Sequence, residues 1–128
     1  MSESDGPSER TVQSDNVSTA TTEYSDPVHV ESAEHLTALV TENDVVLVDF
    51  YADWCGPCQM LDPVVETVAT ETAAVVAKVD IDELQSLAQD HQVRGVPTLL
   101  LFAGGEQAKR LVGVQEQSTL VELVESYS

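Results

Sequence analysis

The chain has 128 residues, which is enough for one compact domain and too few for two of ordinary size. Its hydrophobic content of 42% is that of a globular protein, but 23 acidic residues face only five lysines and arginines, giving a net charge of −18. This excess argues against a nucleic-acid partner, whose phosphates would be repelled, and is typical either of disorder or of a folded protein adapted to concentrated salt.

The first segment, residues 1–27, is rich in Ser, Thr, Asp and Glu and is predicted to be a flexible acidic tail. It contains no apolar run of the kind found in signal peptides, and the apolar runs elsewhere are too short to cross a bilayer. The two cysteines of the chain are only three positions apart, unlike the spaced pairs of secreted domains. These features predict a cytoplasmic protein with no membrane partner.

From residue 28 onward, strand patterns alternate with helix patterns, which argues against disorder over residues 28–128. Strands are predicted at residues 28–30, 45–51, 74–79, 98–102 and 109–112, and helices at 32–40 with Ser32 as the cap, at 56–71, at 83–90 and after a cap at Ser118. The short link at Gly104-Gly105 predicts an antiparallel hairpin. This order predicts an α/β sandwich of three layers around one sheet.

The sequence Trp54-Cys55-Gly56-Pro57-Cys58 follows a predicted buried strand and opens a predicted helix. Helix residues three apart share a face, so the two sulfurs can form a disulfide. The unpaired N–H groups and the dipole at the helix start favour a thiolate at Cys55, which is therefore the expected nucleophile. Cys58, one turn deeper, is expected to be shielded and to resolve the mixed disulfide.

A zinc site is the alternative for a Cys-x-x-Cys pair, but a closed zinc site needs four ligands. His29, His35 and His91 show no paired ligand spacing, so they are interpreted as surface or satisfied core residues. The prediction is that no metal is bound.

The segment from Val48 to Cys58 resembles the active-site segment of thioredoxins. Further matches, in the same order and spacing, are Pro63, Lys78-Val79-Asp80, Arg94-Gly95-Val96-Pro97-Thr98 and Gly113. The resemblance covers residues 28–128 and implies a thioredoxin fold with a mixed five-stranded sheet. It also implies a protein-disulfide reductase with no cofactor other than the redox-active Cys55–Cys58 pair.

The resemblance also implies roles for single residues. Asp49 matches a buried carboxylate that moves the proton of Cys58, and burial in an apolar strand would raise the pKa of this carboxyl. Lys78 matches a lysine close to that carboxylate, and Pro97 matches a cis-proline. The backbone of Val96 would pair with an extended client segment. From the residues alone, Asp49 could equally be an Asp satisfied by a neighbour, and Lys78 a solvated lysine.

The resemblance implies a docking surface for clients, made of Trp54, Gly56, Pro57, Val96, Pro97, Gly113 and Val114. The implied partners are disulfide-containing client proteins and a thioredoxin reductase, and the chain is expected to be a monomer. An oxidant or isomerase on the same fold, and a non-catalytic binding module, remain alternatives. Three residues depart from the family pattern: Tyr51 replaces a second tryptophan, Gln59 a basic residue, and Asp62 a small apolar residue.

Overall fold

A computed structural model describes residues 25–128, so the predicted acidic tail lies outside the described residues except for its last three positions. The elements are β1 (Val28–His29), α1 (Ala33–Glu42), β2 (Val45–Tyr51), α2 (Gly56–Glu71), β3 (Val75–Asp80), α3 (Gln85–Asp90), β4 (Thr98–Ala103), β5 (Glu106–Val112) and α4 (Gln117–Glu125). None of the helices in this part of the chain is long and apolar enough to span a membrane.

The five strands form one mixed sheet in the order β1-β3-β2-β4-β5. β1, β3 and β2 are parallel, whereas β4 runs antiparallel to β2 and β5 antiparallel to β4. β2 is the central strand and its first six residues are buried, because both faces of the sheet are covered. The predicted mixed five-stranded sheet is therefore confirmed.

Two apolar cores lie on opposite faces of the sheet. On one face, Leu36 and Leu39 of α1 and Leu87 of α3 pack against alternate residues of β2, β3 and β4. On the other face, Val65 of α2 and Leu120 of α4 pack against the intervening residues of the same strands. This is the predicted three-layer sandwich, and it puts α2 directly over one face of β2.

The helix starts were predicted with mixed success. Ser32 caps α1, and its hydroxyl accepts a hydrogen bond from the backbone N–H of His35 at 3.0 Å. The predicted cap at Ser118 is wrong, because α4 begins at Gln117 and its N-cap residue is Glu116, with no side-chain capping bond. α3 also begins two residues later than predicted, at Gln85.

The last strand was predicted too short. β5 begins at Glu106 rather than Lys109, directly after the turn at Gly104-Gly105, where both glycines have positive φ. Its side chains are mostly exposed, because it is the edge strand of the sheet. Backbone pairing with β4 defines this strand, and hydrophobic periodicity does not reveal its first residues.

Candidate active site

The cysteine pair lies where β2 leads into α2. Cys55 is the N-cap residue of α2 and Cys58 lies in its first turn, so the Cα atoms are 5.3 Å apart and the two sulfurs form a disulfide. The backbone N–H of Cys58 donates a hydrogen bond to the Sγ of Cys55 at 3.1 Å. The sulfur of Cys55 thus occupies the place of a capping oxygen, where N–H groups and the helix dipole stabilise negative charge.

Both cysteines are buried in this oxidised state. Cys55 is 4% exposed and Cys58 is 3% exposed, and both pack with Ala52 and with the partly buried Ile81 and Val96. The sequence predicted that Cys58 would be shielded, but Cys55 is buried to the same degree, so burial does not distinguish the two residues. What distinguishes them is position, because Cys55 caps the helix and Cys58 lies inside its first turn.

Asp49 lies in the middle of β2 and is 1% exposed. Neither of its carboxyl oxygens has a hydrogen-bond partner among the described residues. Burial raises the pKa of Asp49 to about 7, the positive charge of Lys78 opposes this rise, and the negative charge of Asp62 adds to it. Asp49 is therefore not the hydrogen-bonded Asp of the alternative interpretation, and its carboxyl can gain or lose a proton near neutral pH.

Lys78 lies beside Asp49, because the two residues are register partners on β3 and β2. Its ammonium group pairs with Asp62 of α2, with 2.6 Å between Nζ and Oδ1, and lies 4.5 Å from the centre of the Tyr51 ring. The side chain of Lys78 is only 11% exposed, so it is not a solvated surface lysine.

Asp62 was not identified as a site residue from the sequence. The available signal was its position four residues after Cys58, which places both residues on the same face of α2. That face is the one whose buried members, such as Leu61 and Val65, pack against the sheet. Asp62 lies at the edge of this face, 40% exposed, and its carboxylate pairs with Lys78 on β3.

The peptide bond between Val96 and Pro97 is cis, as the resemblance predicted. Pro97 is buried, and Val96 packs against the cysteine pair. The carbonyl oxygen of Pro97 accepts a hydrogen bond from the backbone N–H of Gly113 at 2.9 Å. Gly113 has a φ of 92°, a conformation that glycine adopts readily. The loop before β4 and the end of β5 are thereby joined beside the cysteines.

The remaining residues of the predicted docking surface are exposed. Trp54 is 69% exposed, and Gly56, Pro57 and Val114 also lie at the surface. The indole N–H of Trp54 donates a hydrogen bond to the Oδ2 of Asp82 at 2.9 Å. Asp82 was missed in the sequence analysis, since 28 positions separate it from Trp54 and no spacing rule connects them.

Within residues 25–128, no group of three or more His, Cys, Asp or Glu side chains could hold a metal ion. His35 accepts a hydrogen bond at Nδ1 from the backbone N–H of Glu31, and His91 lies between the rings of Phe50 and Phe102. The imidazole of His35 is therefore hydrogen-bonded to the backbone, and that of His91 packs against aromatic rings.

The thioredoxin family model matches residues 26–126, which is most of the chain. The chain belongs to the thioredoxin family. Thioredoxins are thiol–disulfide oxidoreductases that act as disulfide reductases, and the disulfide-bonded Cys55 and Cys58 are the redox pair of this one. The thioredoxin interpretation of the sequence is thus confirmed.

Individual thioredoxins support the assignment. The thioredoxin of Mycobacterium tuberculosis is 44% identical over 101 residues, covering 77% of this chain and 87% of the relative. A solved structure of a mutant thioredoxin from Halobacterium salinarum NRC-1 is 56% identical, with a TM-score of 0.81, and covers 84% of this chain and 95% of that one. A "bifunctional thioredoxin reductase/thioredoxin" of Mycobacterium leprae is 41% identical over 96 residues, which are 73% of this chain and 21% of that protein.

Two of the three departures from the thioredoxin pattern, Tyr51 and Gln59, each make a contact that the structure identifies. The ring of Tyr51 forms a cation–π contact with the ammonium group of Lys78. The side-chain amide of Gln59 donates to the backbone oxygen of Asp53 at 3.3 Å and is exposed. The third departure, Asp62, contacts the lysine beside the buried carboxyl and so bears on the chemistry of the site.

Proposed function

We propose that this thioredoxin reduces disulfides of client proteins with Cys55 as the nucleophile, Cys58 as the resolving thiol and Asp49 as the proton acceptor. The observation that carries the proposal is the capping position of Cys55, disulfide-bonded to Cys58 at the start of α2. The second support is the buried carboxyl of Asp49, which lies beneath α2 and titrates near neutral pH. Lys78 acts through its charge on Asp49.

In the first step, the thiolate of Cys55 attacks one sulfur of the client disulfide. The client S–S bond breaks, its second sulfur leaves as a thiolate, and a mixed disulfide joins Cys55 to the client. Asp49 then takes the proton of the Cys58 thiol, and the new thiolate attacks the sulfur of Cys55. The Cys55–Cys58 disulfide forms, and the client leaves with both sulfurs reduced, having gained two electrons from the cysteine pair.

Clients dock on the apolar surface that surrounds the cysteines. The members of this docking surface are Trp54, Gly56, Pro57, Val96, Pro97, Gly113 and Val114. Its support is the exposure of Trp54 and Val114, together with the packing of Val96 against the cysteine pair. An extended client segment pairs with the backbone of Val96, as in strand addition, and the indole of Trp54 covers the apolar side chains of the client.

A thioredoxin reductase returns the oxidised pair to the dithiol, with no cofactor in the chain beyond the redox-active disulfide. This partner is supported by the relative in M. leprae, whose name joins thioredoxin reductase with thioredoxin. The protein works as a monomer in the cytoplasm of a salt-adapted cell. The net charge of −18 and the 56% identity to the thioredoxin of H. salinarum support salt adaptation, and the single close cysteine pair fits a reducing compartment.

Covalent trapping tests the roles of the two cysteines. In molar KCl, Cys58→Ser should capture a peptide containing a disulfide as a mixed disulfide that dithiothreitol releases, and Cys55→Ser should capture much less. Equal capture by Cys55→Ser would reverse the roles. The direction of electron flow is tested by equilibrating the wild-type pair with glutathione, where a potential well below the glutathione poise is expected. A value at or above that poise would indicate an oxidant or isomerase.

A further inference from the structure

Among the residues that the structure describes, Lys78 forms one ion pair, and its partner Asp62 is one of the three departures from the family pattern. The Nζ atom of Lys78 lies 2.6 Å from the Oδ1 of Asp62, which joins β3 to α2 across the layer between sheet and helix. Lys78 is 11% exposed and Asp62 is 40% exposed, so the pair lies at the boundary of the core. The ring of Tyr51, 4.5 Å from Nζ, borders the ammonium group on another side.

Asp49 is a second carboxyl on which the charge of this lysine acts. It is the register partner of Lys78 on β2, and it is buried with no hydrogen bond to either oxygen among the residues the structure describes. An ammonium group beside a buried carboxylate would ordinarily be expected to bond it, since a buried charge without a partner is costly. Here the short contact of the ammonium group is made with Asp62 instead.

Asp49 has one apolar and one charged register partner on the neighbouring strands. Leu99 is its register partner on β4, and Lys78 on β3 and Asp62 on α2 supply the charges that act on it. The two charges oppose each other: the lysine lowers the pKa of Asp49, while Asp62 raises it. Asp62 therefore raises the pKa of Asp49 by its own charge. It also holds the ammonium group of Lys78 in an ion pair at α2.

We propose that Asp62 is a positioning residue for disulfide reduction, which keeps the Lys78 ammonium from pairing with Asp49 and so preserves Asp49 as a proton acceptor for Cys58. The inference rests on the proposed function, in which Asp49 takes that proton. Without Asp62, the ammonium group is free to bond Asp49. A carboxylate stabilised in this way is a weaker base, and it removes the proton of Cys58 less effectively.

The experiment is a titration of Asp49 in the oxidised protein, followed by carboxyl ¹³C NMR in molar KCl. We expect the pKa of Asp49 to be about 7 in the wild type and to fall to about 6 in Asp62→Asn, as for a carboxylate that gains a cationic neighbour. Glu66→Gln is the matched control, because it removes one exposed charge from the next turn of the same helix. It should leave the titration of Asp49 unchanged, and Asp62→Glu should restore it.

A double-mutant cycle with Lys78→Met tests whether Asp62 acts through the lysine. In the Lys78→Met background, Asp62→Asn should lower the pKa of Asp49 by less than in the wild type, since only the direct charge effect is left. The functional readout is the release of a peptide from the mixed disulfide with Cys55. The midpoint of its pH profile should fall by about one unit in Asp62→Asn, together with the pKa of Asp49.

Comparing Asp49→Asn with Asp62→Asn distinguishes a failure of the inference from a failure of the proposed function. An Asp49→Asn variant that releases peptide as fast as the wild type would overturn the role of Asp49 in the proposed function and, with it, the inference about Asp62. If Asp49→Asn is slow but Asp62→Asn titrates like Glu66→Gln, the inference alone is overturned. An effect of Asp62→Asn that is undiminished in the Lys78→Met background would likewise reject the positioning role.

Discussion

The carboxyl group of Asp49 lies beside Lys78 on the neighbouring parallel strand, yet neither of its oxygens is hydrogen-bonded to that lysine. The buried acid therefore keeps a raised pKa, with only the longer-range attraction of the ammonium group to oppose the effect of burial. This relationship links the fold to the reaction, because it leaves a group that titrates near neutral pH under the helix that carries both cysteines.

Asp49→Asn should change how stability depends on pH. The folded protein holds the proton of Asp49 up to about pH 7, whereas the unfolded chain releases it near pH 3.8. The folded state therefore binds the extra proton between these values, and stability falls as pH rises through this window, by up to about 4 kcal/mol. Urea unfolding of the oxidised protein from pH 4 to pH 8 should show this decline in the wild type relative to the variant. Parallel curves would contradict the raised pKa.

His91 should have the opposite effect. Burial between Phe50 and Phe102 lowers its pKa, Asp90 acts against this change, and Arg110 adds to it. A lowered pKa favours the neutral ring in the folded state, so its contribution is complete above pH 6.5 and is lost as pH falls through the folded pKa.

The variant His91→Phe removes this titration. The His91→Phe variant and the protein with His91 are best compared in the Asp49→Asn background, because Asp49 titrates in an overlapping pH range. We expect acid unfolding to be less steep in His91→Phe below pH 6.5. An unchanged slope would show that protonation of His91 does not oppose folding.

Asp82→Ala should release the indole of Trp54, whose N–H donates to the carboxylate at 2.9 Å. Trp54 is the single tryptophan of the chain, so its fluorescence reports on this side chain alone. We expect lower steady-state anisotropy and a lower kcat/KM for clients, since the docking surface loses a fixed side chain. Glu83→Ala removes a neighbouring exposed acid and should change neither quantity. Equal anisotropy in the two variants would show that Asp82 does not hold the ring.

Concentrated KCl should stabilise the protein, because the acidic side chains that give its net charge of −18 repel one another in dilute buffer. The Debye length falls from about 10 Å at 0.1 M to about 3 Å at 1 M, so the urea midpoint should rise over this range. The double substitution Glu122→Gln and Glu125→Gln removes two exposed charges from α4 and should reduce the KCl needed for the same midpoint. A midpoint that is flat or falls with KCl would contradict salt adaptation.

The cysteine pair and the central strand could be predicted from the sequence because both are local. The run from Val45 to Tyr51 has the unbroken apolar character of a strand covered on both faces, and the structure gives it those bounds. Ser32 was identified as a cap by its place before an apolar helix, and the capping bond is present. Ser118 was chosen by the same rule and is wrong, because α4 begins without a side-chain cap.

Contacts between distant parts of the chain were decided only by the tertiary structure. The pairs Asp62–Lys78 and Trp54–Asp82 are separated by 16 and 28 positions, and each forms because strands and helices that lie apart in sequence pack together. The sequence by itself determined the redox pair, the order of elements and a buried carboxyl, since these depend on neighbouring residues and on hydrophobic pattern. Which partner the lysine beside that carboxyl takes depends on the packing of α2 against β3, and no local pattern encodes that distance.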